Sequence, residues 1–169
     1  MSDIYRNGRF EPDTWRALGA DEALPAAGGV LLSLPRFIAE RDAVLGSEAP
    51  FGLIVEPGDK LEAVGEDAGR FGVIAVRFPK FADGRGYSHA RLLRDRYCFK
   101  GELRAIGDVL LDQVPYMLRI GFDTLEVTHG PTRARLEAGQ LPLVPYFYQP
   151  STTDAAGPAE GRPWRRRAF

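Results

Sequence analysis

Phe71-Gly-Val-Ile-Ala-Val-Arg-Phe78 is the stretch that decides the fold. Apart from Arg77 near its end the run is continuously apolar, and a strand without polar alternation is one buried on both faces, as in the middle of a parallel sheet. Strand and helix signals alternate on either side of it. Upstream, Val30 to Leu34 reads as a strand, followed by a helix with Pro35 in its first turn, Phe37, Ile38, Val44 and Leu45 along it, and Gly46 as the stop. Phe51 to Glu56 is the next strand; Pro57-Gly58 turns the chain, and Asp59 caps a helix with Leu61, Val64 and Ala68 on one face. Downstream, Tyr87, Ala90, Leu93 and Tyr97 recur at helical spacing. Gly101 to Ile106 reads as a strand, and Gly107-Asp108 opens a helix over Val109 to Ile120 closed by Gly121. Pro115 should kink that helix or delay its start. Phe122 to Val127 is a further strand, Thr132 to Gly139 a short helix, and Leu141 to Tyr148 an extended apolar segment.

The alternation predicts an α/β fold of repeated strand-helix units forming a mainly parallel sheet with right-handed crossovers, either open and Rossmann-like or a partial β/α barrel. Residues 1–29, rich in polar residues, Gly and Pro, read as an N-terminal arm pinned by Phe10 and Trp15. Residues 30–149 form the α/β domain, and residues 150–169 read as a flexible tail. The tail ends in Trp164-Arg-Arg-Arg167, a solvated run or a contact for an acidic partner.

Charge and composition exclude several classes of function. With 22 Lys+Arg against 23 Asp+Glu the net charge is -1, so no overall field draws the chain to nucleic acid or an anionic membrane. The apolar runs fall well short of the roughly 20 residues that span a bilayer, and Met1 is not followed by a signal-like segment, so a soluble, cytoplasmic protein is expected. A single cysteine, Cys98, forms no intrachain disulfide and builds neither an iron–sulfur cluster nor a structural zinc site. No metal site is expected, and neither a Walker loop nor a G-x-G-x-x-G fingerprint occurs, so no cofactor is evident.

Ligands of parallel α/β proteins bind beyond the carboxyl ends of the strands, which here gathers the loop after Phe78, Gly107-Asp108 and the segment around His129 on one rim. Asp83-Gly84-Arg85-Gly86-Tyr87-Ser88 places two glycines around an arginine just before a helix. Arg85, Ser88, Arg91 and the helix-start amides form a set suited to a phosphate, sulfate or carboxylate, on a small molecule or a partner. The alternative is a capped turn in which Asp83 binds local amides and Arg85 pairs with Asp108 or Asp112. Asp108 and Asp112, with Gln113 beside them, are one helical turn apart, a spacing that suits acid and base roles as well as capping. His129, after a strand end, is a candidate general base or a hydrogen-bonded loop residue, and His89 carries less weight. Cys98, between Tyr97 and Phe99, reads as an inert, half-buried thiol.

Phe78-Pro-Lys-Phe-Ala-Asp-Gly-Arg-Gly-Tyr-Ser-His-Ala-Arg-Leu-Leu-Arg94, Gly101-Glu-Leu-Arg-Ala-Ile-Gly-Asp-Val-Leu-Leu-Asp-Gln113, Gly121-Phe-Asp123 and Tyr146-Phe-Tyr-Gln149 resemble bacterial domain-of-unknown-function family 934 over about residues 30 to 150. The resemblance implies an oxidoreductase of sulfite reduction, within sulfur assimilation and cysteine biosynthesis. It marks Asp83 to Ser88, Arg91, Glu102, Arg104, Gly107, Asp108, Asp112 and Gln113 as family-like positions, without assigning any of them a role in catalysis. With no electron carrier evident in the polypeptide, the expected role is that of an accessory or partner protein, with sulfite reductase or another sulfur-assimilation enzyme as its partner, assisting electron delivery. The alternative is a small enzyme acting on a sulfur- or phosphorus-containing oxyanion at the Asp83–Ser88 loop, with Asp108 or His129 moving protons.

Overall fold

The computed structural model describes residues 3–142. Eight strands form one sheet, β1 (Asp3–Arg6), β2 (Arg9–Pro12), β3 (Trp15–Ala17), β4 (Gly29–Ser33), β5 (Phe51–Val55), β6 (Val73–Phe78), β7 (Glu102–Gly107) and β8 (Thr124–Leu125), in the order β2-β1-β8-β7-β6-β5-β4-β3. Strands β3 to β8 lie side by side in chain order and parallel, while β1 pairs antiparallel with both β8 and β2. The sheet is therefore mixed rather than mainly parallel as the alternation predicted. Six strands in unbroken order leave no reversal point within the parallel run, the feature at which an open doubly wound sheet binds its ligand.

Connectivity shows that the sheet curls. Strands β2 and β3 occupy opposite edges, yet only Asp13 and Thr14 join them. A flat eight-stranded sheet would hold its edges about 34 Å apart at normal strand spacing, whereas the link from Pro12 to Trp15 reaches about 11 Å at most. The sheet must bend round to bring its edges together, and it forms a half-barrel with Asp13-Thr14 as a strap between its edges.

The segment 1–29, read as an arm, thus supplies three strands. Its hairpin turns on Asn7 and Gly8, both at positive φ (48° and 84°), a conformation that Asn-Gly accepts readily and that matches strand twist. Elsewhere the elements stand near their predicted places with shifted ends. The helix after β4 is two short ones, α1 (Leu34–Ala39) and α2 (Arg41–Gly46), broken at Glu40. Leu61, Val64 and Ala68 are buried as their spacing predicts, but in two 3-10 segments, Leu61–Ala63 and Gly65–Arg70. Helix α3 (Arg85–Arg91) continues as a π-helix over Leu92–Arg96. Helix α4 begins only at Val114 and runs to Arg119, because Pro115 fits a first turn, where its missing N–H needs no partner. Helix α5 spans Gly130–Glu137. The predicted segment Leu141 to Tyr148 lies largely outside the described residues, and the tail wholly so.

The two faces of the sheet differ. Leu32, Leu53, Val55, Ile74, Val76, Phe78, Leu103, Ala105 and Leu125 meet Phe37, Leu93 and Met117 in the main core. The alternate residues, Leu31, Ile54, Val73, Ala75 and Ile106, form a smaller apolar cluster with Trp15. Arg77, Glu102, Arg104 and Thr124 share the alternation of this second face, which is the inside of the curl. Among the described residues no helix is long and apolar enough to cross a membrane, and no cluster of three or more His, Cys, Asp or Glu is grouped to hold a metal ion.

Candidate functional site

The loop between β6 and α3 is built as a self-contained turn. Asp83 accepts the Arg85 amide at 3.2 Å, and its two oxygens take Nε and Nη2 of Arg85 at 3.0 and 2.6 Å. These hydrogen bonds hold the Asp83 carboxyl down at about 2. The counter-ion of Arg85 is thus Asp83, not Asp108 or Asp112. We expect Arg85→Ala to return Asp83 towards the ordinary value near 3.9, read as the midpoint of its carboxyl shift in an NMR titration; an unchanged midpoint would show that the pair does not persist in solution.

The glycines of this loop divide in purpose. A side chain at Gly84 would meet little, Tyr87 at 3.9 Å, and its φ of −82° suits any residue. At Gly86 a Cβ would lie 2.7 Å from the Phe78 ring, so this glycine lets the first turn of α3 rest on the sheet. Tyr87 stacks on Phe78 and on Tyr116 with ring centroids 5.0 and 4.9 Å apart. Burial pushes its hydroxyl up to about 12, against the opposing effect of a hydrogen bond to Gln113. Ser88, Arg91 and Asp112 are exposed, with Arg91 3.7 Å from Asp95.

Asp108 and Gln113 do join the rim, as clasps. The Asp108 carboxylate accepts the Phe81 amide at 2.9 Å and its own amide donates to the Phe78 carbonyl at 2.7 Å. Gln113 accepts from the Leu110 amide at 3.0 Å, which makes it a brace for the turn before α4. His129 caps α5, its Nδ1 2.8 Å from the Thr132 hydroxyl and 3.4 Å from the Thr132 amide. His89 is buried in α3 with its Nδ1 unpartnered among the described residues, and desolvation lowers its pKa. Arg94 is committed to structure: it donates to the carbonyls of Phe99, Gly101 and Gly121 and to Asp123. Cys98 is exposed and holds a positive φ of 50° where the π-helix ends.

The feature that sequence reasoning missed lies inside the curl. Arg104, on β7, is among the largest fully buried side chains of the described residues, 1% exposed. Its Nε donates to Glu102 at 2.8 Å and its Nη1 to Asp13 at 2.7 Å. Glu102 also accepts from Arg6 and from the Thr124 hydroxyl, and Asp13 accepts the Trp15 amide. The network thus fastens the strap to the sheet. The second terminal nitrogen, Nη2, is shut off from solvent and sits 2.7 Å from Glu102 as an ion pair, without the alignment of a hydrogen bond. Arg104 lines a cavity of about 720 Å³ bounded by the sheet on one side and by residues 13–17 and 27–29 on the other. Arg77 also reaches it, with Nε on Glu56 at 2.7 Å. The signal that would have found this face is the alternation of Glu102 and Arg104 with Leu103 and Ala105, which makes the first half of β7 polar on one side.

The model of a family described as bacterial protein of unknown function (DUF934) matches residues 52–158. The chain belongs to this family. The DUF934 match takes in Arg77, Glu102, Arg104 and the Asp83–Ser88 loop, whereas Asp13 and Trp15 precede it. No curated protein and no solved structure matches the chain.

Proposed function

We propose that this DUF934 member is an accessory protein of assimilatory sulfite reduction that binds a sulfur- or phosphorus-containing oxyanion within its curled sheet. One observation carries the anion: Arg77 reaches the cavity with a single bond, Nε to Glu56 at 2.7 Å, so its two terminal nitrogens have no partner among the described residues and are open to an anionic acceptor. The setting in sulfite reduction rests on the resemblance of the 78–94 and 101–113 motifs. In this reading the partner is sulfite reductase or another sulfur-assimilation enzyme, and the exposed Arg85 loop and Arg91 are the surface offered to it for electron delivery. An enzyme working at the Asp83–Ser88 loop is the weaker alternative, because Asp83 already fills the Arg85 fork.

Two measurements test the proposal. A ligand at a hundred times its dissociation constant stabilises the folded state by about 2.7 kcal/mol, which in a chain of this size raises the melting temperature by roughly 5–10 °C. Sulfite, sulfate, phosphate and adenylyl sulfate are the compounds to screen, and at least one should give such a rise. A deletion strain should fail on sulfate as sole sulfur source and recover on cysteine; normal growth on sulfate would sink the role in sulfite reduction.

A further inference from the structure

Five charged side chains line the cavity inside the curl, and most of them are spent on one another. Asp13 and Arg104 form a buried pair, and Arg16 is held by Glu22. Arg77 keeps a single bond, from Nε to Glu56, and the Glu126 carboxylate has neither a hydrogen bond nor an ion pair among the described residues. What stays open at the wall is one guanidinium edge and one carboxylate.

The sheet sets these two groups in one row. Arg77 on β6 stands beside Ile106 on β7, and the register of β7 with β8, which puts Ala105 beside Leu125, carries Glu126 alongside Ile106. The Glu126 amide donates to the Ala105 carbonyl at 2.8 Å, which holds that row together just past the end of β8. Two strand spacings separate the backbones of Arg77 and Glu126 by about 10 Å, with Ile106 between them and all three lining the cavity. The two charges do not pair with each other, since Arg77 turns to Glu56 instead. A bare oxyanion at Arg77 would gain the guanidinium and face the Glu126 carboxylate across the same cavity.

Resting on the reading that Arg77 takes the oxyanion, we propose that the ligand is a zwitterion, a small primary amine that carries a sulfonate or phosphate group. The oxyanion binds the terminal nitrogens of Arg77, whose planar fork matches it. The ammonium binds the Glu126 carboxylate, and the short carbon chain between the two charges crosses Ile106, with Ile54 beside it. Specificity then comes from the two ends together, as it does in sites where a few fixed polar groups orient a ligand over an apolar wall. Glu126 acts in both senses, attracting the amine and repelling an anion that lacks one.

Titration calorimetry on the full-length protein with matched compounds tests this. Taurine is set against ethanesulfonate and phosphoethanolamine against ethyl phosphate, with ethanolamine as the amine alone and sulfite, sulfate and phosphate as the bare ions. At least one zwitterion should bind tenfold or more tighter than its amine-free match and than ethanolamine. Equal affinity for each zwitterion and its match would overturn the inference and leave the anion reading standing. Binding by none of the compounds would overturn both, and so would ethanolamine binding as tightly as the zwitterions, which would remove Arg77 from the site. Glu126→Gln keeps the shape of the side chain and, with no partner to lose, should keep the melting temperature. It should weaken the preferred zwitterion tenfold or more and leave the amine-free match bound at least as tightly as before. Full affinity for the zwitterion in this variant, or an equal loss for both compounds, would overturn the proposal. Arg77→Gln should weaken the zwitterion and its match alike, and full affinity there would place binding elsewhere and overturn both readings.

Discussion

Arg104→Leu should cost about 3–5 kcal/mol of folding stability, the range for removing one partner of a buried ion pair. The size follows from what stays behind. Glu102 and Asp13 are only 15% and 6% exposed, and each takes a hydrogen bond from the guanidinium. Leucine fills part of the volume but leaves Asp13 with the Trp15 amide alone, and Glu102 with Arg6 and Thr124. An uncompensated charge in that position costs more than the pair contributed. Since small domains are stable by about 5–15 kcal/mol, the variant would be marginal. Urea denaturation followed by circular dichroism gives the loss directly. The triple variant Arg104→Leu, Glu102→Gln, Asp13→Asn should recover at least half of it, because neutral amides tolerate burial better than unpaired carboxylates. A loss below about 1 kcal/mol in the single variant would mean that the network is wet and weak, as exposed pairs are.

The same variant should loosen the strap, because Asp13 joins Arg104 to the Trp15 amide. That coupling explains why the inside of the curl was hard to read in the sequence. Arg104 and Asp13 stand 91 residues apart, and no local pattern relates them. What was legible was local and strongly patterned. The β6 run is apolar on both sides of its pleat and lies fourth from one edge of the sheet, flanked by β5 and β7. Leu61, Val64 and Ala68 are buried at the spacing that predicted it, even though the backbone there is 3-10.

Other parts were legible and went unused. Asn7-Gly8 between Ile4-Tyr5-Arg6 and Arg9-Phe10 is a strong short hairpin signal, yet polar neighbours gave the segment the look of an arm. Pro115, by contrast, reads as kinking its helix or delaying the start, and the second holds: the proline stands in the first turn and α4 begins at Val114. The rim was legible as a place but not as a set of bonds. Spacing brings Asp108 and Gln113 to the loop at Phe81, but it does not reveal that Arg85 would be matched two residues away by Asp83.

Gly107→Ala should be nearly as damaging, at about 2–5 kcal/mol, although it adds one methyl group. Gly107 holds a φ of +97°, which costs an L-residue roughly 1–2 kcal/mol. Its Cβ would also press into the Phe78 carbonyl, and overpacking of this kind costs about 1–3 kcal/mol. The carbonyl cannot give way easily, because the Asp108 amide donates to it at 2.7 Å and β6 and β7 are paired at this register. Gly84→Ala is the matching control within the neighbouring motif: its φ is −82° and a methyl there meets only Tyr87 at 3.9 Å. It should be neutral or stabilise by about 0.4–1 kcal/mol, through a less flexible unfolded chain. In a chain of this length the pair should move the melting temperature in opposite directions, down by some 5–15 °C for Gly107→Ala and by at most a few degrees up for Gly84→Ala. Equal losses at both positions would mean that the turn before α3 needs glycine at Gly84 for its own packing.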